Sequence, residues 1–406
     1  MKILLLTQWY PPEPMPLLSD MTETLQALGH EVTVLTGFPN WPSGKLYPGY
    51  RLRLWQREER NGVQIIRVPL FPDHSTSAVK RALNFLSFAV SATVLGFWLV
   101  PRPDVMHVIH PPITIGLPAV VLSFLWRIRF TLEIQDMWPE NLQSTGMVRN
   151  RAVLRAVASF ANWVYRRSAA IRVISPGFRL NLVQKGVGAG KIRVISNWVD
   201  TDNYKPLPSE QNFANALGLS GRFNILYAGT IGLAQGLDVI LDAAPQLHSQ
   251  LPQAQFVLAG DGLDYERLKA KAALLGLQNV RFLGRLPGDM MPQLYACADV
   301  LMLHLRSDPL FAITIPHKVF TYLAAGKPAL VAAEGDVATL IQSAGAGLVC
   351  KPSDPGDLAR AVNALYLLAP QERAAMGNNG RRIARECYSR DPLVHQLSQM
   401  IESAAA

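Results

Sequence analysis

The sequence predicts an α/β protein built from two doubly wound, parallel-sheet domains. Three observations lead there. Short β-rich apolar runs alternate with amphipathic helical stretches along the whole chain, the pattern of strands that need a crossover helix before they pair in parallel. The 406 residues exceed what one domain commonly holds. A polar stretch carrying Pro206 and Pro208, Asp200–Ser209, divides two such series of elements.

The first series opens with strand Lys2–Thr7. A proline-rich loop follows, then a helix over Ser19–Leu28, with Gly29 as its stop signal. Glu31–Thr36, Val63–Val68, Val105–Ile109, Thr131–Ile134 and Ile171–Ile174 read as further strands, and Ile192–Ile195 closes the half. The second series reads as strand Asn224–Ala228, helix Leu237–Leu247, strand Gln255–Ala259, helix Leu263–Leu274, strand Val280–Leu283 and helix Met290–Ala296. It continues as strand Val300–Leu303, helix Lys318–Ala325, strand Ala329–Ala332, helix Val337–Ala344, strand Leu348–Cys350 and helix Asp357–Leu368. The domains expected are therefore 1–200 and 206–385, with a C-terminal segment over 386–406. Ligands of such sheets sit at the carboxyl ends of the strands, so a cleft between the domains is the expected binding place.

Composition narrows the function classes. With 49% hydrophobic and 17% charged residues the chain is not disordered, and 29 Gly with 29 Pro lacking any period exclude collagen-like order. Cys297, Cys350 and Cys387 stand far apart, without metal-ligand spacing; they read as small buried hydrophobes in a reducing compartment. Lys2 precedes only a short apolar run that Tyr10-Pro11-Pro12 breaks, which is no secretory signal; the expectation is a cytoplasmic protein.

Charge is uneven. Residues 1–200 hold 22 Lys and Arg against 12 Asp and Glu, a net of +10, while residues 201–406 hold 17 against 18, a net of −1. A basic half faces something anionic. No dense Arg/Lys stripe interleaved with aromatics points to nucleic acid, so a membrane surface is the better reading. Phe85–Val100 is almost wholly apolar, preceded by Lys80 and Arg81 and followed by Pro101 and Arg102. Sixteen helical residues reach about 24 Å, short of the hydrocarbon core of about 30 Å, which favours a helix lying in the interface, with an internal core helix as the alternative, over a true span. The uncharged stretch Ile109–Trp126, interrupted by Pro111, Pro112 and Pro118, reads as a core helix.

Two loops could carry chemistry. After the first strand, Gln8-Trp9-Tyr10-Pro11-Pro12-Glu13-Pro14 stands where a dinucleotide fold would want Gly-x-Gly-x-x-Gly, which makes an NAD enzyme a remote reading. The second-domain turn Gly229-Thr230-Ile231-Gly232-Leu233-Ala234-Gln235-Gly236 lies between strand and helix, where backbone N–H groups can approach an anion. A glycine-punctuated turn without a ligand is the bland alternative. In Ser307–Lys318, Thr314 is placed to cap the following helix and Pro316 suits its first turn. Lys318 in that first turn opposes the macrodipole unless an anion lies nearby; otherwise it is an exposed lysine without a role.

Those loops, with Ile315-Pro316-His317-Lys318, Ala324-Ala325-Gly326-Lys327-Pro328, Phe282-Leu283-Gly284-Arg285 and Tyr295-Ala296-Cys297-Ala298-Asp299, resemble the family 4 retaining glycosyltransferases. Gly37-Phe38-Pro39-Asn40-Trp41-Pro42-Ser43-Gly44-Lys45, His110-Pro111-Pro112 and Asp136-Met137-Trp138-Pro139-Glu140 resemble one branch of it, the N-acetylfucosaminyltransferase-like enzymes of O-antigen and colanic-acid assembly. The resemblance runs from the first strand to about Arg385. It implies a GT-B fold, two Rossmann-like domains facing across a cleft, and a C-terminal helix over roughly Asp391–Ser403 that returns to the first domain. It further implies a nucleoside-diphosphate sugar as donor, expected to be a UDP-N-acetyl-amino sugar. The implied acceptor is a polyprenyl-diphosphate-linked saccharide at the inner-membrane surface. No metal and no cofactor besides the UDP-sugar co-substrate are expected, and no acidic Mg²⁺-binding cluster stands in the sequence.

Carried over residue by residue, the resemblance places donor contacts on Gly229, Thr230, Gly232, Gln235, Arg285, Thr314, Ile315 and Thr321. Acceptor-side contacts fall on Pro12, Lys45, His110 and Glu140. Departures are informative. The family's two donor-site glutamates fall on Ile313 and Thr321, its Arg/Lys pair on Thr230 and Gln235, and a histidine near the reacting sugar on Gln135. Thr321 keeps one hydroxyl for a ribose. The diphosphate needs other cations, and Lys318 and Arg285 are the candidates. Asp308 is assigned to sugar hydroxyls and Asp136 to the acceptor or reaction centre, against readings as capping or solvated aspartates. With Lys318 these two form the expected catalytic set. A nucleotide-sugar 2-epimerase or a non-catalytic GT-B scaffold are the rivals.

Overall fold

The computed structural model describes residues 1–75, 77–148 and 150–405. It divides into two compact units, Met1–Ser196 with Asp391–Ala406, and Asn197–Arg390.

The first unit carries strands β1 (Lys2–Leu6), β2 (Glu31–Gly37), β3 (Gln56–Arg60), β4 (Val63–Val68), β5 (Val105–His110), β6 (Arg129–Ile134), β7 (Ala170–Val173) and β8 (Ile192–Val194). They form one sheet in the order β3-β4-β2-β1-β5-β6-β7-β8. All pairings are parallel except that of β3 with β4. Its helices are α1 (Pro16–Ala27), α2 (Ala78–Leu99), α3 (Gly116–Trp126), α4 (Glu140–Ser144), α5 (Arg151–Arg167) and α6 (Pro176–Gln184). Strand order reverses between β1 and β5, so the carboxyl ends of those strands flank the position where doubly wound sheets take ligands.

Strand β1 is apolar after Lys2, and β5 is buried along its whole length with His107 and His110 among its apolar residues, because both faces are covered, as parallel sheets require. The sequence reading passed over β3: Gln-Arg-Glu-Glu-Arg has no apolar alternation, and charge is what protects an antiparallel edge. Helix α1 starts at Pro16 rather than Ser19, because proline suits a first turn. Helix α2 is longer than the uncharged run, with Ser77 capping it by accepting from Lys80 N. Asn84, Phe88, Ala89, Ala92 and Gly96 form its buried face. At Gly96 a Cβ would lie 2.7 Å from Leu35, so glycine is what lets the helix seat on the sheet. Ile109–Trp126 splits into the end of β5, a 3₁₀ turn Ile113–Ile115 and α3.

Across β5, β6 and β7 runs a buried polar ladder. Glu133 accepts from Arg172 Nη1 and sits 3.2 Å from His107 Nε2, while Arg172 also donates to Ile195 O (2.9 Å) and Ser196 O (2.8 Å). Burial alone would raise the Glu133 carboxyl; Arg172 and His107 hold it down at about 2.

The second unit holds β9 (Phe223–Ala228), β10 (Ala254–Ala259), β11 (Val280–Gly284), β12 (Val300–His304), β13 (Ala329–Ala332) and β14 (Gly347–Cys350), all parallel, in the order β11-β10-β9-β12-β13-β14. Its helices are α7 (Gln211–Leu217), α8 (Asp238–Gln250), α9 (Tyr265–Leu274), α10 (Met291–Ala296), α11 (Pro309–Ala312), α12 (Lys318–Ala324), α13 (Asp336–Ala344), α14 (Pro355–Leu367) and α15 (Pro370–Cys387). Helices α8 and α14 bury Ile240, Leu247, Leu358 and Val362 against one face, while Val319, Leu323 and Ile341 fill the other.

Helix α16 (Arg390–Ala405) closes the chain. Its residues from Asp391 belong to the first unit, where Ser398 meets His30 before β2 at 2.8 Å and Ala404 O meets Arg129 at the start of β6 at 3.5 Å. The helix thus lies across the amino ends of the strands. Cys297 and Cys350 are buried and free, but Cys387 is exposed at the end of α15, contrary to the expectation for all three.

Candidate active site

In the second unit the carboxyl ends of β9, β10 and β12 meet at the glycine loop. Gly229 leaves β9 at φ +135° and donates its N–H to Ala259 O (2.8 Å). A Cβ there would stand 2.5 Å from Lys318 Nζ. A second glycine pair, Gly260 and Gly262, stacks backbone on backbone against it: a Cβ at Gly260 would come within 1.8 Å of Gly229 O. Sequence reasoning missed Gly260-Asp261-Gly262, although two glycines one residue apart after a strand were the available signal.

Lys318 is the first residue of α12, and its side chain reaches back over the loop. Nζ donates to Tyr227 Oη at 2.8 Å and lies 4.0 Å from that ring's centroid. The phenol donates a hydrogen bond to Thr230 O, and burial keeps it protonated. No carboxylate pairs with Lys318 among the described residues. Burial alone therefore pushes its ammonium down to about 7. A half-buried cation without a carboxylate partner, facing a glycine held at positive φ, is a socket suited to negative charge. Tyrosines 227 and 322, the latter exchanging hydrogen bonds with Ala228 N (3.1 Å) and O (3.2 Å), hold the socket and were not foreseen.

Other expected donor contacts find different employment. Asp308 caps α11, its Oδ1 accepting from Leu310 N at 2.8 Å. Thr314 does not cap α12, which begins four residues later at Lys318; its hydroxyl donates back to Leu310 O (2.7 Å) in α11. Ile315 is buried in the core, leaving only its backbone for a ligand. Thr321 is buried and donates to Lys318 O at 2.8 Å, which closes its hydroxyl to a ribose. Gln235 accepts from Gly232 N (3.2 Å) and so fixes its own loop. Thr230 and Arg285 are exposed, Arg285 directly past β11.

The first unit gathers its polar groups at the same end of its sheet. Glu13, unremarked as a site residue, is buried and accepts from Tyr10 N (2.9 Å), Asn40 N (2.9 Å) and Trp41 N (2.8 Å), so it ties the loops after β1 and β2 together. Burial pushes its carboxyl up to about 7. Trp9 packs against Trp41 and Phe85 at centroid distances of 6.2 and 6.4 Å. Asp136 follows β6, half-buried, and its carboxylate meets no hydrogen-bond donor among the described residues; burial raises it to about 6. Gln135 beside it donates to Glu133 at 2.6 Å.

Two acceptor-side expectations are corrected here. His110 is wholly buried, with its ring at 6.0 Å from Trp138 and neither ring nitrogen meeting a side-chain or backbone partner among the described residues, and burial drives its pKa to about 3. As a neutral, closed imidazole it cannot touch an acceptor in this conformation. Glu140 pairs with Lys185 at 2.6 Å, which commits it to α6. Lys45 is exposed on the loop after β2, and Pro12 lines a cavity of about 270 Å³ with Glu13 and Arg60. Among the described residues no group of three His, Cys, Asp or Glu is placed to hold a metal ion.

Residues 17–198 match the family described as "Glycosyl transferase 4-like domain", and residues 209–383 match "Glycosyl transferases group 1". The chain belongs to the family 4 glycosyltransferases. It is similar to WcaI of Escherichia coli (strain K12), named for glycosyl transfer in colanic acid biosynthesis: 28% identity over 328 residues, 78% of each chain. It is also similar to WbjE of Pseudomonas aeruginosa, named as a glycosyltransferase, at 26% identity over 280 residues and 68% of each. The crystal structure of Anabaena HepE with UDP superposes with a TM-score of 0.76 at 20% identity, covering 99% of this chain and all of the other. The fold is GT-B, two Rossmann-like domains, and the activity is glycosyl transfer.

Proposed function

We propose that this glycosyltransferase is a retaining, metal-independent enzyme of surface-polysaccharide assembly. It moves a sugar, of the N-acetylated amino or deoxy class, from a UDP-sugar to a polyprenyl-diphosphate-linked saccharide. The observation that carries this reading is Lys318: a half-buried ammonium, hydrogen-bonded among the described residues to a phenol and to no carboxylate, set against Gly229. A leaving diphosphate is the charge it suits, and it replaces the cations that Thr230 and Gln235 no longer supply. HepE crystallised with UDP, and WcaI by its name, support the donor and the pathway class.

In this reading the bond from the sugar's anomeric carbon to the phosphate oxygen breaks while the acceptor oxygen bonds the same face of that carbon. The acceptor's proton passes to the departing phosphate oxygen. Lys318 stabilises the phosphate charge, and Asp136 orients the acceptor hydroxyl.

The acceptor's lipid asks for a membrane surface. Helix α2 has the length and apolarity to cross one. Its inner face is packed on the sheet, however, and Val79, Leu83, Leu86, Val90, Val94 and Trp98 recur every three or four residues on its outer face, Trp98 with 79% exposure. Phe124 and Leu125 of α3 are exposed as well. Such a one-sided stripe with Lys80 and Arg81 at its head suits docking in the interface of the cytoplasmic leaflet.

A transfer assay with a panel of UDP-sugars and polyprenyl-diphosphate primers, read by mass spectrometry, tests the proposal. One added sugar with retained anomeric configuration is expected. Isomerisation of the UDP-sugar without acceptor would instead make the chain an epimerase, and no consumption of any donor would make it a scaffold.

A further inference from the structure

At the amino ends of β6, β7 and β8, beneath α16, lies a cavity of about 550 Å³. It is lined by Arg129, Lys191 and Arg193, by Gln396, Gln399 and Ser403 of α16, and by apolar side chains, with no carboxylate in the lining. Lys191 Nζ points to the last carbonyls of α5, donating to Ser168 O (2.9 Å) and Arg166 O (3.2 Å). Its burial lowers its pKa, and no nearby acid offsets that. Arg129 spends one N–H on Ala404 O and Arg193 one on Gly190 O (2.9 Å). The other N–H groups of both guanidiniums meet no protein acceptor among the described residues, and neither arginine has an ion-pair partner there.

Three cations converge here without a counter-charge. Guanidinium forks match tetrahedral oxyanions bidentately, while the side-chain amides of Gln396 and Gln399 on α16 offer further neutral donors; the Ser403 hydroxyl is spent on Gln399 O (2.7 Å). A cavity of this volume takes a headgroup-sized ligand. It is not the donor or acceptor site: seven residues separate Arg129 from Asp136 along β6 and its exit, about 23 Å at 3.3 Å per residue, and at the other end of the sheet.

We propose that this cavity is a second anion site, which binds a phosphomonoester or phosphate group, free or carried on a lipid headgroup. Arg129 and Arg193 grip the phosphate oxygens and Lys191 adds charge from behind. The site is independent of the donor socket around Lys318, so its failure and that of the glycosyl-transfer reading are separable.

The test titrates the full chain with inorganic phosphate in the presence of saturating UDP, at constant ionic strength, by calorimetry. Saturable binding is expected, weakened at least tenfold in Arg129→Gln/Arg193→Gln with UDP affinity unchanged. Gln399→Glu, an exposed change on α16 that puts a carboxylate in the cavity, should have the same effect and covers the case in which the double variant folds poorly. Pelleting with phosphatidylcholine vesicles, with and without one-fifth phosphatidic acid, decides the source. Loss of the acid-dependent pelleting in the variants assigns a lipid headgroup, and unchanged pelleting assigns a free phosphate. Absent phosphate binding, or equal binding in native and variant proteins, overturns the proposal.

Discussion

Replacing Lys318 by alanine removes a half-buried cation aimed at the glycine loop while leaving Tyr227 bonded to Thr230 O. A unit charge about 4 Å from one phosphate charge is worth about 4 kcal/mol at an effective dielectric of 20. Part of that returns through relief of the lysine's own desolvation, so the expected loss is about 10²-fold in donor kcat/KM, the size typical of a lost charge stabiliser. The pH profile sharpens this. With the free-enzyme ammonium pushed down to about 7, roughly half is charged at pH 7 and about a tenth at pH 8. Donor kcat/KM should therefore fall about fivefold across that unit, the free-enzyme parameter reporting the lysine. Lys318→Arg, charged throughout, should flatten this alkaline limb. Initial rates with a fixed acceptor from pH 6 to 9 are the assay. A limb that persists in Lys318→Ala, or an alanine variant above half the native rate, would refute the reasoning.

Other outcomes follow from the same geometry. Lys318→Met should bind UDP poorly yet raise Tm at pH 7 by a few degrees, because a half-buried charge without a carboxylate partner is removed; a lowered Tm by calorimetry contradicts this. Asp136→Asn should abolish an acidic limb near pH 6 in acceptor kcat/KM without changing UDP affinity. Glu13, raised to about 7 in the fold, stabilises most when protonated; native stability relative to Glu13→Gln should fall as pH rises from about 4.5 to 7, read from urea midpoints. Glu133→Gln strands the buried Arg172 charge and should cost about 3–5 kcal/mol in the same assay, with no change meaning that the ladder is idle. Val90→Asp with Trp98→Asp should lower vesicle binding at least tenfold, and unchanged pelleting removes α2 from the docking face.

The architecture was legible because parallel strands buried on both faces announce themselves as mostly apolar runs, as β1, β9 and β10 do. β3 was not legible, since an edge strand of five polar residues has no period to read. At the site, Gly229 and Lys318 were readable from local chemistry: one must adopt a positive φ, the other stands at a helix start where a cation is misplaced. Lost to the sequence was where side chains turn. Asp308 and Thr314 are polar residues in a ligand-facing loop by order and Thr321 stands on the helix that follows, yet each bonds its own turn. His110 and Glu140 carry the right chemistry but lie in a packed layer with Trp138 and Lys185, which only tertiary contacts reveal.

Proton uptake on UDP binding, measured by calorimetry at pH 8 in buffers of different ionisation enthalpy, interrogates Lys318 without any assumption about the sugar. A lysine that is mostly neutral before binding and charged beside the diphosphate predicts uptake approaching one proton by the native chain and none by Lys318→Ala. Equal uptake in the two proteins, or undiminished UDP affinity in the variant, would contradict it.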